Sequence, residues 1–342
     1  MTAGGTFACL PEELRGFAAS VLTRIGMAAA DADFMASLIV ASDLAGHESH
    51  GMRRLPEYVG RWREGRADPR AEPVIELDNG AVLRLDGRRG YGHIVLRDAT
   101  DLAIRRARDH GIAAVAIRRA EHAGRLADHC ERAAAAGIAL LLFANDAGAG
   151  QDVAPPGGLR PRLATNPIAV GIPRATAPHL VLDMSTSVVA AGRLAEWRDR
   201  GEPIPASWVT ETGALRPAGG VKGFGLAMIV EALAGALTGA GTVSAHPEHD
   251  DQGTLIIALD IGSLRPMVAF VAEVEEFIAY VRDVPLEAGS RPVRMPGEGG
   301  AQTSRQRAAD GVPVQGFTWR CLEALAAEFE LPLPAVQAFS DA

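Results

Sequence analysis

Two short apolar runs, Ile112 to Ile117 and Ile138 to Phe143, bracket a stretch of helical spacing from Leu126 to Ala136. Short apolar runs separated by a helix read as buried strands, which constrains the middle of the chain to an α/β body. The alternation extends to both sides. Ile94 to His110 is helical in spacing, Ile168 to Ile172 and Leu180 to Leu182 are strand-like, and a helix follows Val188. Phe224 to Leu237 reads as one long apolar helix, Thr254 to Leu259 as a strand and Val271 to Val281 as a helix.

The two ends differ from this body. Pro11 to Leu22, Asp31 to Leu44 and Leu55 to Arg63 carry apolar residues at helical spacing, with Pro11 and Asp31 suited to helix starts. Val74 to Leu77, Asp78-Asn79-Gly80 and Ala81 to Leu85 spell strand, turn and strand, so the architecture changes near residue 72. Thr318 to Phe329 returns to helical spacing. The expected division is a helical lobe from residues 1–72 and 291–342, with an α/β domain over 73–290.

The function classes narrow by exclusion. No stretch approaches the roughly 18 to 20 unbroken apolar residues of a membrane-spanning helix, and Met-Thr-Ala-Gly-Gly at the start lacks a basic region, so the cytoplasm is the expected address. Cys9, Cys130 and Cys321 are odd in number and far apart, against a disulfide framework or thiolate metal site. With 42 acidic and 34 basic residues the net charge is −8, which disfavours nucleic acid as a partner.

An α/β chain invites a search for the dinucleotide fingerprint, which needs a third small residue for close packing of helix on strand. Gly90-x-Gly92 continues to Val95, Gly148-x-Gly150 to Val153 and Gly223-x-Gly225 to Met228, so each match fails. Gly219-Gly220-Val221-Lys222-Gly223 lacks the Ser or Thr of a phosphate loop. It still offers backbone N–H groups and one cation ahead of a helix, a place for an anionic ligand such as a pyrophosphate or an ordinary surface loop.

The densest polar constellation runs from Gly46 to Tyr58, at the end of an apolar helix, and includes His47, Glu48, Ser49, His50, Arg53, Arg54 and Glu57. Reduction of a 2-oxo acid needs a proton donor at the carbonyl oxygen, which histidine suits, and a clamp for the carboxylate, which arginine suits. A serine or tyrosine hydroxyl can orient the substrate. Any single histidine here also reads as a helix end contacting backbone carbonyls; it is the set that points to chemistry.

Ser49-His50-Gly51-x-x-Arg54-Leu55-Pro56-x-Tyr58 closely resembles the type 2 malate/L-lactate dehydrogenase family. Further matches follow in order: His122-x-Gly124, Thr165-Asn166-Pro167-Ile168-Ala169, Leu182-Asp183-Met184-Ser185-Thr186-Ser187, Ile204-Pro205 and Gly219-Gly220-x-Lys222-Gly223-Phe224-Gly225-Leu226-Ala227. Met295-Pro296-Gly297-Glu298 is a looser echo, so the resemblance covers most of the chain. It implies NAD or NADP bound in a non-Rossmann α/β domain, a helical lobe from both chain ends and a homodimer or larger even oligomer. Members act on malate, lactate, sulfolactate, ureidoglycolate, diketogulonate or cyclic imino acids, so the implied substrate is a small carboxylate.

By the same resemblance, Ser49, His50 and Asp183 form a relay in which Asp183 orients His50. His122 is a second functional histidine, and the proton is open between the two. Arg54 is the carboxylate clamp and Tyr58 a supporting hydroxyl. His122, Gly124, Asn166, Asp183, Met184, Ser185, Lys222, Gly223, Gly297 and Glu298 are the implied cofactor contacts. For Asp183 the plain alternative is a strand-end carboxylate capping a helix.

Two departures stand out: the loop at 209–218 is shorter than the family usually carries, and Asp146 follows Asn145 where the family commonly has Ser. A carboxylate facing the site would favour an amine or imine substrate, whereas an outward-pointing one is the simpler alternative. A metal-dependent hydrolase built on His246-Pro247-Glu248-His249-Asp250-Asp251, or on His47 with His50, lacks a clear third ligand and a His-Glu-x-x-His pattern.

Overall fold

The computed structural model describes residues 5–146, 148, 150–246 and 251–337. After the strand β1 (Thr6–Cys9), α1 (Pro11–Arg24) begins with Pro11, Glu12 and Glu13 in its first turn and ends on Arg24, an arrangement that suits the helix dipole. It buries Leu14, Phe17, Ala18, Val21 and Leu22, a stripe at helical spacing. Helix α2 (Ala29–Leu44) buries the matching stripe Ala32, Met35, Ala36, Ile39 and Val40, and two 3-10 turns lead into α3 (Leu55–Arg63).

The hairpin β2 (Val74–Asn79) and β3 (Val82–Gly90) turns at Gly80, whose N–H is accepted by Asp78 and whose φ of 71° suits glycine. Next come α4 (Gly92–His110), β4 (Ile112–Ala120), α5 (Ala127–Ala135), β5 (Ile138–Ala144), β6 (Ile168–Ile172) and β7 (Leu180–Met184). Then α6 (Ala191–Asp199) and α7 (Val221–Val230) follow, the latter passing into a π-turn at Glu231–Ala236. The described chain closes with β8 (Gln252–Asp260), α8 (Ile261–Leu264), α9 (Met267–Arg282), α10 (Glu298–Asp310), β9 (Val312–Gln315), α11 (Gly316–Phe329) and β10 (Val336–Gln337).

The main sheet has the order β2-β3-β4-β8-β5-β6-β7, and β3 with β4 is its single parallel pair. In a doubly wound dinucleotide fold, strands joined by a helix such as β4 and β5 are commonly bonded neighbours around a switch point. Here β8 lies between them, antiparallel to both, which is why the glycine fingerprint has no place in the chain. A small antiparallel sheet, β10-β1-β9, joins the chain ends, with Cys9 opposite both Val312 and Val336. Around it one core unites Leu14, Leu22, Ile39, Leu55, Trp319 and Leu322, so the N-terminal helices and α11 fold against each other.

Among the described residues, no helix is long and apolar enough to cross a membrane. Residues 247–250, in the middle of the candidate metal segment, lie outside the described residues. Among those described, no cluster of three or more His, Cys, Asp or Glu groups is placed to hold a metal ion.

Leu322 is fully buried between the two chain ends. Leu322→Ala is expected to lower unfolding stability by about 2–5 kcal/mol, read as a reduced urea midpoint. A variant as stable as the parent would show that the C-terminal helix is not part of this core.

Candidate functional site

The site starts where α2 stops. Gly46, at φ 81°, ends the helix, and two short turns, Glu48–His50 and Met52–Arg54, meet at Gly51. Asp43 of α2 lies beneath that junction: its Oδ2 accepts the Met52 N–H at 2.7 Å, and a Cβ at position 51 would overlap its carboxylate. The glycine after His50 is therefore a packing requirement. From the other side, Arg307 of α10 donates to the Asp43 carbonyl and pairs with Glu48 at 2.6 Å.

So held, the turn projects Ser49, His50 and Arg54. Ser49 Oγ is 3.0 Å from His50 Nδ1, and Arg54 Nε donates to the Ser49 carbonyl at 2.9 Å. Arg54 Nη1 pairs with Glu57, whereas Nη2 has no hydrogen-bond partner among the described residues. A Cβ at Gly192 would overlap Ser49, so the start of α6 packs directly on this turn.

The opposing wall comes from the sheet. Register places Ala120 opposite Gln252, Ala144 opposite Thr254 and Phe143 opposite Ile168. The loops leaving β4 and β5 and those entering β8 and β6 therefore emerge at one end of the sheet. There Gly124, at φ 73° and pressed against His93, turns the chain so that His122 faces His50, ring centroids 5.5 Å apart. Tyr58 Oη lies 2.9 Å from His122 Nδ1, and the Gly124 N–H approaches the same nitrogen at 3.3 Å. Tyr58 is fully buried, and its carbonyl accepts the Tyr91 hydroxyl at 2.7 Å.

Burial first, then the positive charge of Arg54, pushes His50 down to about 3 and His122 well below the usual imidazole value. Burial also raises the Tyr58 phenol. At neutral pH the site holds two uncharged imidazoles and a protonated tyrosine beside an arginine.

Between the walls lies a cleft of about 630 Å³, bordered by Ser49, His50, Arg54, His122, Asp146 and Gln252. Asp146 takes the Gly148 N–H at 3.2 Å, and burial raises its carboxyl. Behind the floor, buried Glu231 accepts from Asn166 at 2.9 Å, from Asn145 at 3.3 Å and from the Val243 N–H at 3.2 Å. Asn166 is fully buried, with φ 39°.

Other candidates lie apart from the cleft. Asp183 takes the Ala127 N–H at 2.8 Å and so caps α5; its hydrogen bonds among the described residues do not run to His50. Met184 ends β7, and Ser185 Oγ donates to the Ser187 carbonyl at 3.1 Å. Glu298 takes the Met295 N–H at 2.9 Å and pairs with Arg282, while Gly297, at φ 93°, packs on the His179 carbonyl.

Gly219 and Gly220, both left-handed, precede α7 and its Lys222, and a Cβ at Gly223 would overlap the Ala218 and Thr186 carbonyls. The two glycines border a second hollow of about 400 Å³. Val188 borders this hollow and Ala190 the first cleft, so the two flank the same segment. The N–H groups of Gly220, Lys222, Gly223 and Phe224 are taken by backbone carbonyls. This helix start therefore offers a phosphate the Gly219 and Val221 N–H groups, which have no acceptor among the described residues, and the Lys222 ammonium. The small residues Ala123, Gly124, Ala144 and Ala190 leave room for a flat ring.

Sequence reasoning passed over Asp43, Glu231 and the pair of Arg61 with buried Glu121 beside the cleft. A carboxylate inside an otherwise apolar helical stretch was the available signal for the first two.

The sequence profile described as malate/L-lactate dehydrogenase matches residues 10–323. The chain is 34% identical to the L-lactate dehydrogenase of Cupriavidus necator, over 94% of this chain and 97% of that one. Its fold superposes on malate dehydrogenase from Entamoeba histolytica with a TM-score of 0.91 at 25% identity, covering 97% of this chain and 100% of that one. It also superposes on delta1-piperideine-2-carboxylate reductase from Pseudomonas syringae with a TM-score of 0.79 at 29% identity, covering 93% and 99%.

Burial raises the Asp43 carboxyl to about 8; Glu48 and Glu196 add to this, and the Met52 N–H and Arg307 oppose it. Because the folded value lies above the unfolded one, the stability drawn from the neutral acid is full at low pH and is lost as pH rises through about 8. Asp43→Asn keeps an acceptor for Met52 and should gain on the parent in urea midpoint between about pH 5 and pH 9. Parallel curves over that range would refute this reading of Asp43.

Proposed function

The chain belongs to the malate/L-lactate dehydrogenase family, and on that premise we propose that its cleft interconverts a small 2-hydroxy acid, such as malate or lactate, and its 2-oxo partner. The observation that carries this is the juxtaposition of two uncharged imidazoles with Arg54, whose Nη2 has no partner among the described residues. A 2-oxo acid needs one group for its carboxylate and another for its carbonyl oxygen, and the cleft supplies both.

A nicotinamide cofactor, NAD or NADP, supplies or accepts the hydride when bound. Gly219, Gly220 and Lys222 are proposed to hold its phosphates, with Gly223 keeping α7 close to the loop. Gly124, Asn166, Met184 and Ser185 are proposed to shape the wall beside it. Arg54 clamps the substrate carboxylate, fixed in turn by Ser49 and Glu57. His50, bonded to Ser49, and His122 hold the carbonyl oxygen and its proton. Asp183 acts at one remove, by fixing α5.

A second reading is favoured by Asp146, which borders the cleft: a cyclic imino acid would bring a cation to that carboxylate. The fold's likeness to a piperideine carboxylate reductase supports it. The cytoplasm is the proposed compartment, consistent with three free cysteines. The exposed apolar residues Val221, Met228 and Ile229 of α7, and Leu237 just after the π-turn, support a homodimer or larger even oligomer. Light scattering should return an even multiple of the chain mass, and a monomer would rule that assembly out.

Oxidation of NADH and NADPH against a panel of 2-oxo acids and cyclic imino acids tests the function. Turnover with a 2-oxo acid, unaffected by chelator, is expected, and silence with both cofactors across the panel would refute it. Arg54→Lys should lower kcat/KM roughly 100-fold, about 2.7 kcal/mol, because a single ammonium cannot keep the contacts with the Ser49 carbonyl and Glu57 and also present a fixed donor to the carboxylate. Asp146→Ser should leave the preference for 2-oxo acids in place; if instead it abolishes imine reduction by an imine-preferring enzyme, the second reading holds.

A further inference from the structure

Two hydrogen-bond donors converge on one nitrogen of His122. The Gly124 backbone N–H, 3.3 Å from Nδ1, can only donate, and the Tyr58 hydroxyl, 2.9 Å from the same atom, has no other partner among the described residues. Nδ1 must therefore carry the lone pair, and the neutral ring bears its proton on Nε2. His122 borders the cleft, and its Nε2 is neither hydrogen-bonded among the described residues nor enclosed.

From this geometry we infer that Tyr58 is a positioning residue that locks His122 as a neutral Nε2–H donor aimed at the substrate's carbonyl oxygen. The inference rests on the dehydrogenase reading and refines it. Tyr58 has little freedom to do anything else, because it is fully buried, held through its carbonyl by the Tyr91 hydroxyl, and flanked edge-on by Tyr91 at 5.9 Å and His93 at 5.4 Å. Tyr58 does not border the cleft, and its hydroxyl meets the imidazole.

The electrostatic surroundings agree. Burial, Arg54, His50, His93 and Arg61 all oppose a charge on His122, so the ring stays neutral across the physiological range. A neutral imidazole is a poor proton reservoir but a good electrophile, because its N–H stabilises negative charge as it gathers on oxygen. The His50 ring, bonded to Ser49 and stacked 5.5 Å away, is driven neutral by the same burial and the same Arg54, so it too meets the substrate as an uncharged imidazole.

Nitrogen-15 NMR of histidine-labelled, cofactor-free protein reads the tautomer directly, with His122→Gln assigning the signal. The expected spectrum has an unprotonated Nδ1 and a protonated Nε2 that do not titrate between about pH 6 and pH 8. Tyr58→Phe should introduce the other tautomer and lower kcat by roughly 10-fold or more, with KM for the 2-oxo acid changing less. A protonated Nδ1 in the parent, or titration in that range, overturns the lock. Unchanged tautomer and kcat in Tyr58→Phe overturn the role of Tyr58 alone. The predicted tautomer in a protein without nicotinamide-dependent turnover would reject the functional reading, and with it the donor role, on separate grounds.

Discussion

The insertion of β8 between β4 and β5 is the constraint from which the site follows. Because β8 runs antiparallel to both, β4 and β5 point the same way without touching, and their loops open at the end of the sheet where β8 and β6 begin. His122, Asn145, Asn166 and Gln252 are brought together by this one topological fact. The helical lobe needs only to lay a single segment against that end, and the turn between α2 and α3 does so with Ser49, His50 and Arg54.

The chemistry of the cleft depends on what burial does to charge. Arg54 stays charged because Glu57 and the Ser49 carbonyl hold it, whereas the imidazoles near it are driven neutral. An anionic substrate thus meets a cation at one end and hydrogen-bonding nitrogens at the other. Asp43 and Glu231 work from behind the walls, one under the Gly51 turn and the other under the two asparagines of the floor. The π-turn that starts at Glu231 brings this carboxylate to the asparagines, as such turns do near functional sites.

Much of this was legible in the sequence wherever burial is periodic. Leu55–Arg63 and Ile168–Ile172 have the bounds that their apolar spacing predicts. Strands β1, β9 and β10 are too short for a period to show. Helix α10 has no buried residue among those described and hence no apolar stripe, and the helix expected from Phe224 to Leu237 changes to a π-turn at Glu231. At the site, the motif around Ser49 and His50 identified the wall but not the partners of its side chains. That the Tyr58 hydroxyl meets His122, or that Asp183 caps α5, depends on contacts between residues more than fifty positions apart, which no local pattern encodes.

The most direct test of the account is a crystal structure of the protein with NADH and oxamate, an unreactive analogue of a 2-oxo acid. The account predicts the oxamate carboxylate on Arg54, its amide oxygen within hydrogen-bond distance of His122 Nε2, and the cofactor phosphates at Gly219, Gly220 and Lys222. Oxamate bound away from Arg54 and His122, with the cofactor seated elsewhere on the sheet, would contradict it.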